Sequence, residues 1–193
     1  LFEIGERKIS FEHVIRIPQD RIGALVGREG TVKYQLEKKC SVNLDIDSET
    51  GVVNITSEGD INKIEPFKAE NIIIAISRGF SPERAFRLMD DDTFLEVIDL
   101  RDYVGKSKSA LNRIRGRIIG LNGKSRRVIE ELSGGLLSVY GHTATMIGTA
   151  DEIKAEGDAV RLLASGSIHR TVYKNLQRTR TKAKLDRLKL WED

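Results

Sequence analysis

The sequence predicts an α+β protein made of two copies of one β-α-α-β-β-α unit, each a three-stranded antiparallel sheet covered by three helices, followed by a helical tail. Three observations carry this. The stretch Ile118-Ile119-Gly120-Leu121-Asn122-Gly123-Lys124-Ser125 has a weaker counterpart, Val26-Gly27-Arg28-Glu29-Gly30-Thr31, with its glycines 93 positions earlier. Each is entered from one apolar helical pattern and left into another. The strand and helix patterns around the two stretches come in the same order, which is the mark of an internal duplication.

In the first copy, residues 13–17 carry the β-branched Val14, Ile15 and Ile17 and stop at Pro18, which cannot continue a central strand. Asp20 is the expected N-cap of a short helix carrying Ile22, Leu25 and Val26. Gly27-Arg28-Glu29-Gly30 breaks that helix, and another begins at Thr31 with Val32 and Leu36 on one face at i, i+4. Residues 41–47 alternate, Val42, Leu44 and Ile46 opposing Asn43 and Asp45. Residues 47–51 are turn chemistry, and residues 52–56 the returning strand. A longer helix over 62–78 lays Ile64, Phe67 and the apolar run 72–76 on the sheet and closes at Gly79. Residues 79–92 read as a linker with a helical piece: Ser81 caps it, Pro82 opens it, and Phe86 and Met89 face inward.

The pattern restarts with a Val- and Ile-rich strand over 94–100 and a loop over 102–108. A helix from Ser109 places Leu111, Ile114 and Ile118 on one face. After the glycine stretch come a helix with Val128, Ile129 and Leu132, a Gly134-Gly135 turn and a strand over 136–140. A tight Gly141-His142 turn, a strand over 143–148 and a covering helix over 151–164 complete the copy. Ile168, Val172 and Leu176 at i, i+4, i+8 then predict a helix docking on the second copy. The expected organisation is a first domain over 1–78, a linker over 79–92, a second domain over 93–166 and a basic tail over 167–193. The copies differ in one respect. Nine positions separate Pro18 from Gly27, whereas 20 separate Leu100 from Gly120, and the added residues carry Lys106, Lys108, Arg113 and Arg115.

With 193 residues, 39% apolar and 32% charged, the composition is that of an ordinarily packed chain. No run approaches the roughly 18 apolar residues of a membrane helix, and the first fifteen residues lack a signal peptide's apolar region. The chain opens at Leu1, so a preceding segment is expected. One cysteine, Cys40, excludes an internal disulfide and a Cys-based zinc site. The three histidines are scattered, so no metal and no cofactor are expected, and an intracellular, cytoplasmic protein is. Cys40 itself reads as a small buried residue at a helix end. The net charge of +3 hides an asymmetry: residues 1–100 hold 13 Lys/Arg against 19 Asp/Glu, and residues 101–193 hold 19 against 10. The second half has the electrostatic footprint of a nucleic-acid binder, and the first does not.

Glycines two residues apart at a helix start let a backbone phosphate come close, because a Cβ would hold it away and restrict φ. The amides of the two residues between the glycines, with the free amides and dipole of the following helix, then favour the anion. A β-α-α-β-β-α unit with a Gly-x-x-Gly loop between its first two helices resembles a type I KH domain, and residues 11–164 resemble a tandem of two. The runs from Arg117 through Arg126, Glu131-Leu132-Ser133-Gly134, Ser138-Val139-Tyr140-Gly141 and His169-Arg170-Thr171-Val172-Tyr173 are similar to the archaeal branch of the Dim-two or partner-of-Nob-one family of small-ribosomal-subunit assembly factors. The neighbouring Krr-one family shares the architecture. In many KH domains an apolar residue stands three positions after the second glycine; here Lys33 and Arg126 stand there, which the assembly-factor branch tolerates.

The resemblance implies a clamp on about four unpaired nucleotides. In the second copy the amides of Gly120, Leu121, Asn122 and Gly123 would take phosphate. Lys124, Arg126, Arg127, Arg113 and Arg117 would supply countercharge. Ile118, Ile119, Leu137 and Val139 would wall the groove, or else serve as ordinary core. His142 would stack on a base or simply make the turn. In the first copy Gly27, Arg28, Glu29, Gly30 and Lys33 form a poorer clamp, because Glu29 repels phosphate and Asp45, Asp47 and Glu49 lie nearby. That copy would dock a protein, touch RNA weakly, or only pack. Arg178, Arg180 and Lys182 of the tail would contact RNA or form a solvated face.

The family implies single-stranded RNA at the 3′ end of 16S rRNA as ligand, the α subunit of initiation factor 2, an rRNA dimethyltransferase and a Nob-type endonuclease as partners, and no membrane. Rival readings are a general mRNA-binding or exosome-associated KH protein and a protein scaffold. A nucleotide hydrolase is excluded: Gly123-Lys124-Ser125 and Gly105-Lys106-Ser107 resemble the end of a P-loop, but Ile118 and Leu100 stand where its first glycine is required. No grouping of catalytic residues appears, and no enzyme activity is expected.

Overall fold

The computed structural model describes residues 8–60 and 65–189, with side chains over 10–57 and 65–185. It divides into two compact units between Met89 and Asp90.

The first unit runs β1 (Lys8–Arg16), α1 (Gln19–Val26), a 3₁₀ turn (Arg28–Gly30), α2 (Thr31–Cys40), β2 (Asn43–Asp47), β3 (Val52–Asp60), α3 (Pro66–Ser77), α4 (Pro82–Ala85) and a second 3₁₀ turn (Phe86–Met89). Its antiparallel sheet has the order β1-β3-β2. The alternation read over residues 41–47 is realised at β2, where Val42 and Leu44 are buried and Ile46 half-buried between exposed Asn43, Asp45 and Asp47. In β3 Val53 and Ile55 are fully buried, as are Leu25 of α1, Leu36 of α2 and Ile72, Ile73 and Ile76 of α3. Each such burial contributes about 1.5–3 kcal/mol.

Four expectations need correction. Pro18, extended at φ −61° and ψ 139°, stands at the N-cap of α1, and Asp20 lies inside the first turn. There its charge still favours the helix dipole. Phe67 is 68% exposed and meets Phe11 edge-on at 5.5 Å. It falls off the stripe Ala69, Ile72, Ile73, Ile76 that faces the sheet. The segment 79–89 is not a free linker. Phe80, Ala85 and Leu88 are buried, Arg21 donates to the carbonyls of Ile76 and Phe80 at 2.9 and 2.6 Å, and Lys68 donates to that of Met89. A small sheet needs this extra apolar cover, and only residues 90–92 are left as connection. Phe86 and Met89 are half-buried and not fully inward. The expected helix start at Asn62, with Ile64, lies outside the described residues. Cys40 ends α2, buried, with its thiol pushed up to about 11 by burial and then by the charge of Glu65.

The second unit runs β4 (Phe94–Asp99), a 3₁₀ turn (Leu100–Tyr103), α5 (Lys108–Ile119), a 3₁₀ turn (Leu121–Gly123), α6 (Lys124–Ser133), β5 (Leu136–Tyr140), β6 (Thr143–Gly148), α7 (Ala150–Ala164) and α8 (His169–Lys189), on an antiparallel sheet of order β4-β6-β5. The longer approach to the glycine loop is the Leu100–Tyr103 turn plus a 12-residue α5, against eight residues in α1. Ser107, whose hydroxyl accepts from the Ala110 amide, caps α5, which starts at Lys108, one residue earlier than the expected Ser109. A reciprocal capping box of Thr149 and Glu152 starts α7. Val172 and Leu176 bring α8 into the core of Ile114, Ile118, Ile129, Leu137 and Leu163. No helix among the described residues is long and apolar enough to cross a membrane.

Candidate nucleic-acid interface

At the end of α5 the chain turns through Gly120 (φ 73°, ψ 172°), Leu121, Asn122 (φ 51°, ψ 31°) and Gly123 (φ 74°, ψ 14°) into α6. Both glycines occupy positive φ, where a side chain is strained. A Cβ on Gly120 would also lie 2.6 Å from the Ser125 nitrogen and 2.7 Å from its Cβ, so glycine alone lets the turn close on the first turn of α6. No side chain caps α6, and its first turn carries no acidic residue, so the positive end of its dipole lies at the loop. The expectation for the loop amides is corrected in part: those of Gly120 and Gly123 already donate to the carbonyls of Gly116 and Gly120, and that of Lys124 to Leu121, which leaves the Leu121 and Asn122 amides for an anion. Leu121 is 84% exposed, and Asn122 and Lys124 are exposed. Arg127 reaches back 3.0 Å to the Asn122 carbonyl and braces the turn. The result is a short, rigid, cationic loop that offers backbone donors.

The structure separates the other expected residues. Arg113 is exposed on α5, and Ile119 and Val139 are half-buried, which suits a groove wall. Ile118 and Leu137 are fully buried, so of the two roles open to them they take the core. Arg117 departs from its expected role. Its guanidinium donates to the carbonyl of Leu163 at 3.2 Å and to that of Ser167, while His169 Nε2 donates to the carbonyl of Arg117 at 2.8 Å. The side chain ties the last turn of α5 to the α7–α8 junction and is not a free countercharge. Its partners lie about 50 residues onward, beyond the reach of local pattern. His142 sits in the β5–β6 turn, its carbonyl accepting from the Leu100 amide at 2.8 Å. Arg178, Arg180 and Lys182 are exposed on α8.

The first loop repeats this backbone. Gly27 has φ 73° and ψ 176°, Glu29 φ 54° and ψ 28°, and Gly30 φ 78° and ψ 11°. A Cβ on Gly27 would meet Val32 Cγ2 at 2.5 Å. Arg28 and Glu29 are exposed. The basic residue three positions after the second glycine is explained in both units. Lys33 pairs with Glu37 at 3.9 Å, and Glu37 accepts from the Leu44 amide at 2.9 Å. Arg126 pairs with Glu130 at 3.9 Å, and Glu130 accepts from the Leu137 amide at 2.8 Å. In each unit a helix carboxylate fixes the start of the neighbouring strand, and the cation four residues before it offsets its charge. The two glutamates stand the same 93 positions apart as the glycines, a signal present in the sequence but not read there.

The family model described as the eukaryotic type KH-domain (KH-domain type I) matches residues 94–181. A KH domain-containing protein of Methanocaldococcus jannaschii is 41% identical over 189 residues, 98% of this chain and 82% of that protein. The crystal structure of Dim2p from Pyrococcus horikoshii is similar at 45% identity and a TM-score of 0.80, over 87% of this chain and 99% of that one. The chain belongs to the Dim2/PNO1 family. A second Dim2 structure, in the a/eIF2alpha-aDim2p-rRNA complex of the same organism, is 44% identical with a TM-score of 0.83 over 90% of this chain. The Dim2/PNO1 family extends to the pre-rRNA-processing protein pno1 of Aspergillus fumigatus, 29% identical over 119 residues; the match covers 47% of that protein's length.

Proposed function

We propose that the chain binds single-stranded RNA through residues 120–123 of its second unit and acts in small-subunit rRNA processing or assembly near the 3′ end of 16S rRNA. Both units are read as type I KH domains. The observation that carries the reading is the second loop: two positive-φ glycines, an uncapped helix start, exposed Leu121, Asn122 and Lys124, and no acidic residue in the first turn of α6. A phosphate seated there would take hydrogen bonds from the Leu121 and Asn122 amides, with Lys124 and Arg127 supplying charge. Bases would lie over Ile119 and Val139. Nothing in this arrangement calls for bond-making chemistry, so the chain is read as a binding protein, not an enzyme.

Relatives named for pre-rRNA processing and a relative solved with rRNA and eIF2alpha support the target and the first partner. The first unit, with the same loop backbone but Glu29 at its tip, is assigned to docking a protein, for which the α subunit of initiation factor 2, the rRNA dimethyltransferase and the Nob-type endonuclease are the choices. A cytoplasmic site of action follows for such a factor. Crosslinking the protein to RNA in cells and sequencing what is attached tests the target. A single peak at the 3′ end of small-subunit rRNA is expected; reads dispersed over mRNA would overturn it.

A further inference from the structure

The tail helix has a side the loop does not use. On α8, Val172 and Leu176 are buried against α6 and α7, while Arg170, Lys174, Arg178 and Lys182 are all exposed. They recur at i, i+4, i+8 and i+12, and so form one ridge with about 6 Å of rise between neighbours. It winds from the outward side at Arg170 to the rim of the α7–α8 groove, where Lys182 lines the same groove as Asp151 and Asp158. None of the four has a hydrogen bond or ion pair with a described residue. Four like charges in a row repel one another unless a polyanion neutralises them. The first of them follows His169, whose ring is held on the carbonyl of Arg117, one helical turn before Gly120. The same Arg117 fixes the α7–α8 junction through Leu163 and Ser167. The ridge therefore starts beside the glycine loop and is held in a fixed orientation to it.

We infer that this ridge is a second backbone track for the same RNA strand, so that the unit holds a longer segment than the loop alone. The inference rests on the loop reading and extends it. The loop takes about four nucleotides, as a KH clamp does, and the ridge takes phosphates of the flanking nucleotides without reading their bases, as exposed cations on a helix do. Arg170 and Lys174, to which the sequence assigned no RNA contact, become contact residues, and Arg178 and Lys182 act as part of this row.

The test uses the full chain, labelled random-sequence RNAs of six and fourteen nucleotides, and the variant R170Q/K174Q/R178Q/K182Q. All four positions are exposed, so the variant keeps its fold, which its thermal melt verifies. The wild type is expected to bind the longer RNA at least about tenfold more tightly, with a log–log salt slope steeper by about 2.8, from four phosphates at about 0.7 each. The variant is expected to bind both lengths alike and to keep the six-nucleotide affinity. A variant that keeps the fourteen-nucleotide affinity and salt slope overturns the ridge and leaves the loop standing. A wild type that binds only the longer RNA, with that binding lost in the variant, overturns the loop reading and keeps the ridge.

Discussion

The loops at residues 27–30 and 120–123 have nearly the same backbone, φ and ψ agreeing within a few degrees at Gly27 and Gly120, at Glu29 and Asn122, and at Gly30 and Gly123. Their side chains have diverged. Where the second loop has Asn122, Lys124, Arg127 and Arg113, the first has Glu29, Thr31, Tyr34 and Asp20 at the matching positions. Asn tolerates the left-handed conformation at the third position, and Glu is strained in it. The difference teaches that the glycine pair supplies only the shape of a phosphate cradle. Whether the cradle holds an anion depends on the charges around it. A second contrast lies one turn earlier: Arg117 anchors α5 to the α7–α8 junction, and Ala24 stands at its counterpart. Both loops have a brace behind them, but it differs in place: Arg21 ties α1 to the end of α3 six residues before Gly27, and Arg117 ties α5 to the α7–α8 junction three residues before Gly120.

Substitutions matched between the loops sharpen this comparison. The largest effect is expected from Gly120→Asp with Gly123→Asp, which forces a Cβ onto Ser125 and places two carboxylates at the phosphate position. RNA affinity should fall at least about 100-fold, or some 2.7 kcal/mol. The matched Gly27→Asp with Gly30→Asp should change it less than about twofold, and titration by fluorescence anisotropy measures both. Next is Arg117→Ala, which leaves the Ser167 carbonyl without its guanidinium donor and the Leu163 carbonyl with the Gly166 amide alone. It should cost the second unit about 2 kcal/mol in urea unfolding. Ala24→Arg, in a unit where Arg21 already donates to the carbonyls of Ile76 and Phe80, should add no stability to the first.

A smaller effect is expected from giving the second loop the tip of the first. Leu121→Arg with Asn122→Glu should weaken RNA binding about tenfold at low salt, and the loss should shrink at high salt as the added carboxylate is screened. An undiminished affinity would mean that the cradle's shape suffices. The smallest is Glu29→Asn, which places a residue suited to φ 54° in the first loop. It should raise that unit's stability by about 0.5–1 kcal/mol, read from its chemical denaturation midpoint.

Much of this was legible in the sequence because it is local. The duplication, the element order and the glycine pair follow from spacing, and glycine is demanded wherever φ is positive next to a close backbone. What was illegible depended on distance along the chain. Arg117 looked like a free cation beside a basic loop because its partners lie at 163 and 167. Ile118 and Leu137 read equally as groove or core until the fold put them beneath α7. Phe80 and Leu88 looked like linker residues because the core they close is built from earlier segments. Glu37 and Glu130 were different: their four-residue spacing from Lys33 and Arg126 was visible, and only its repetition in both units shows what it does.

Mapping the contact by photocrosslinking tests the central claim most directly. The protein is irradiated with single-stranded RNA, digested, and its nucleotide-bearing peptides are identified by mass spectrometry. Adducts on residues 118–127, and none on residues 26–33, are the predicted result. Adducts of equal yield on both loops, or on the first alone, would contradict the account, since charge would then not be what separates two cradles of the same shape.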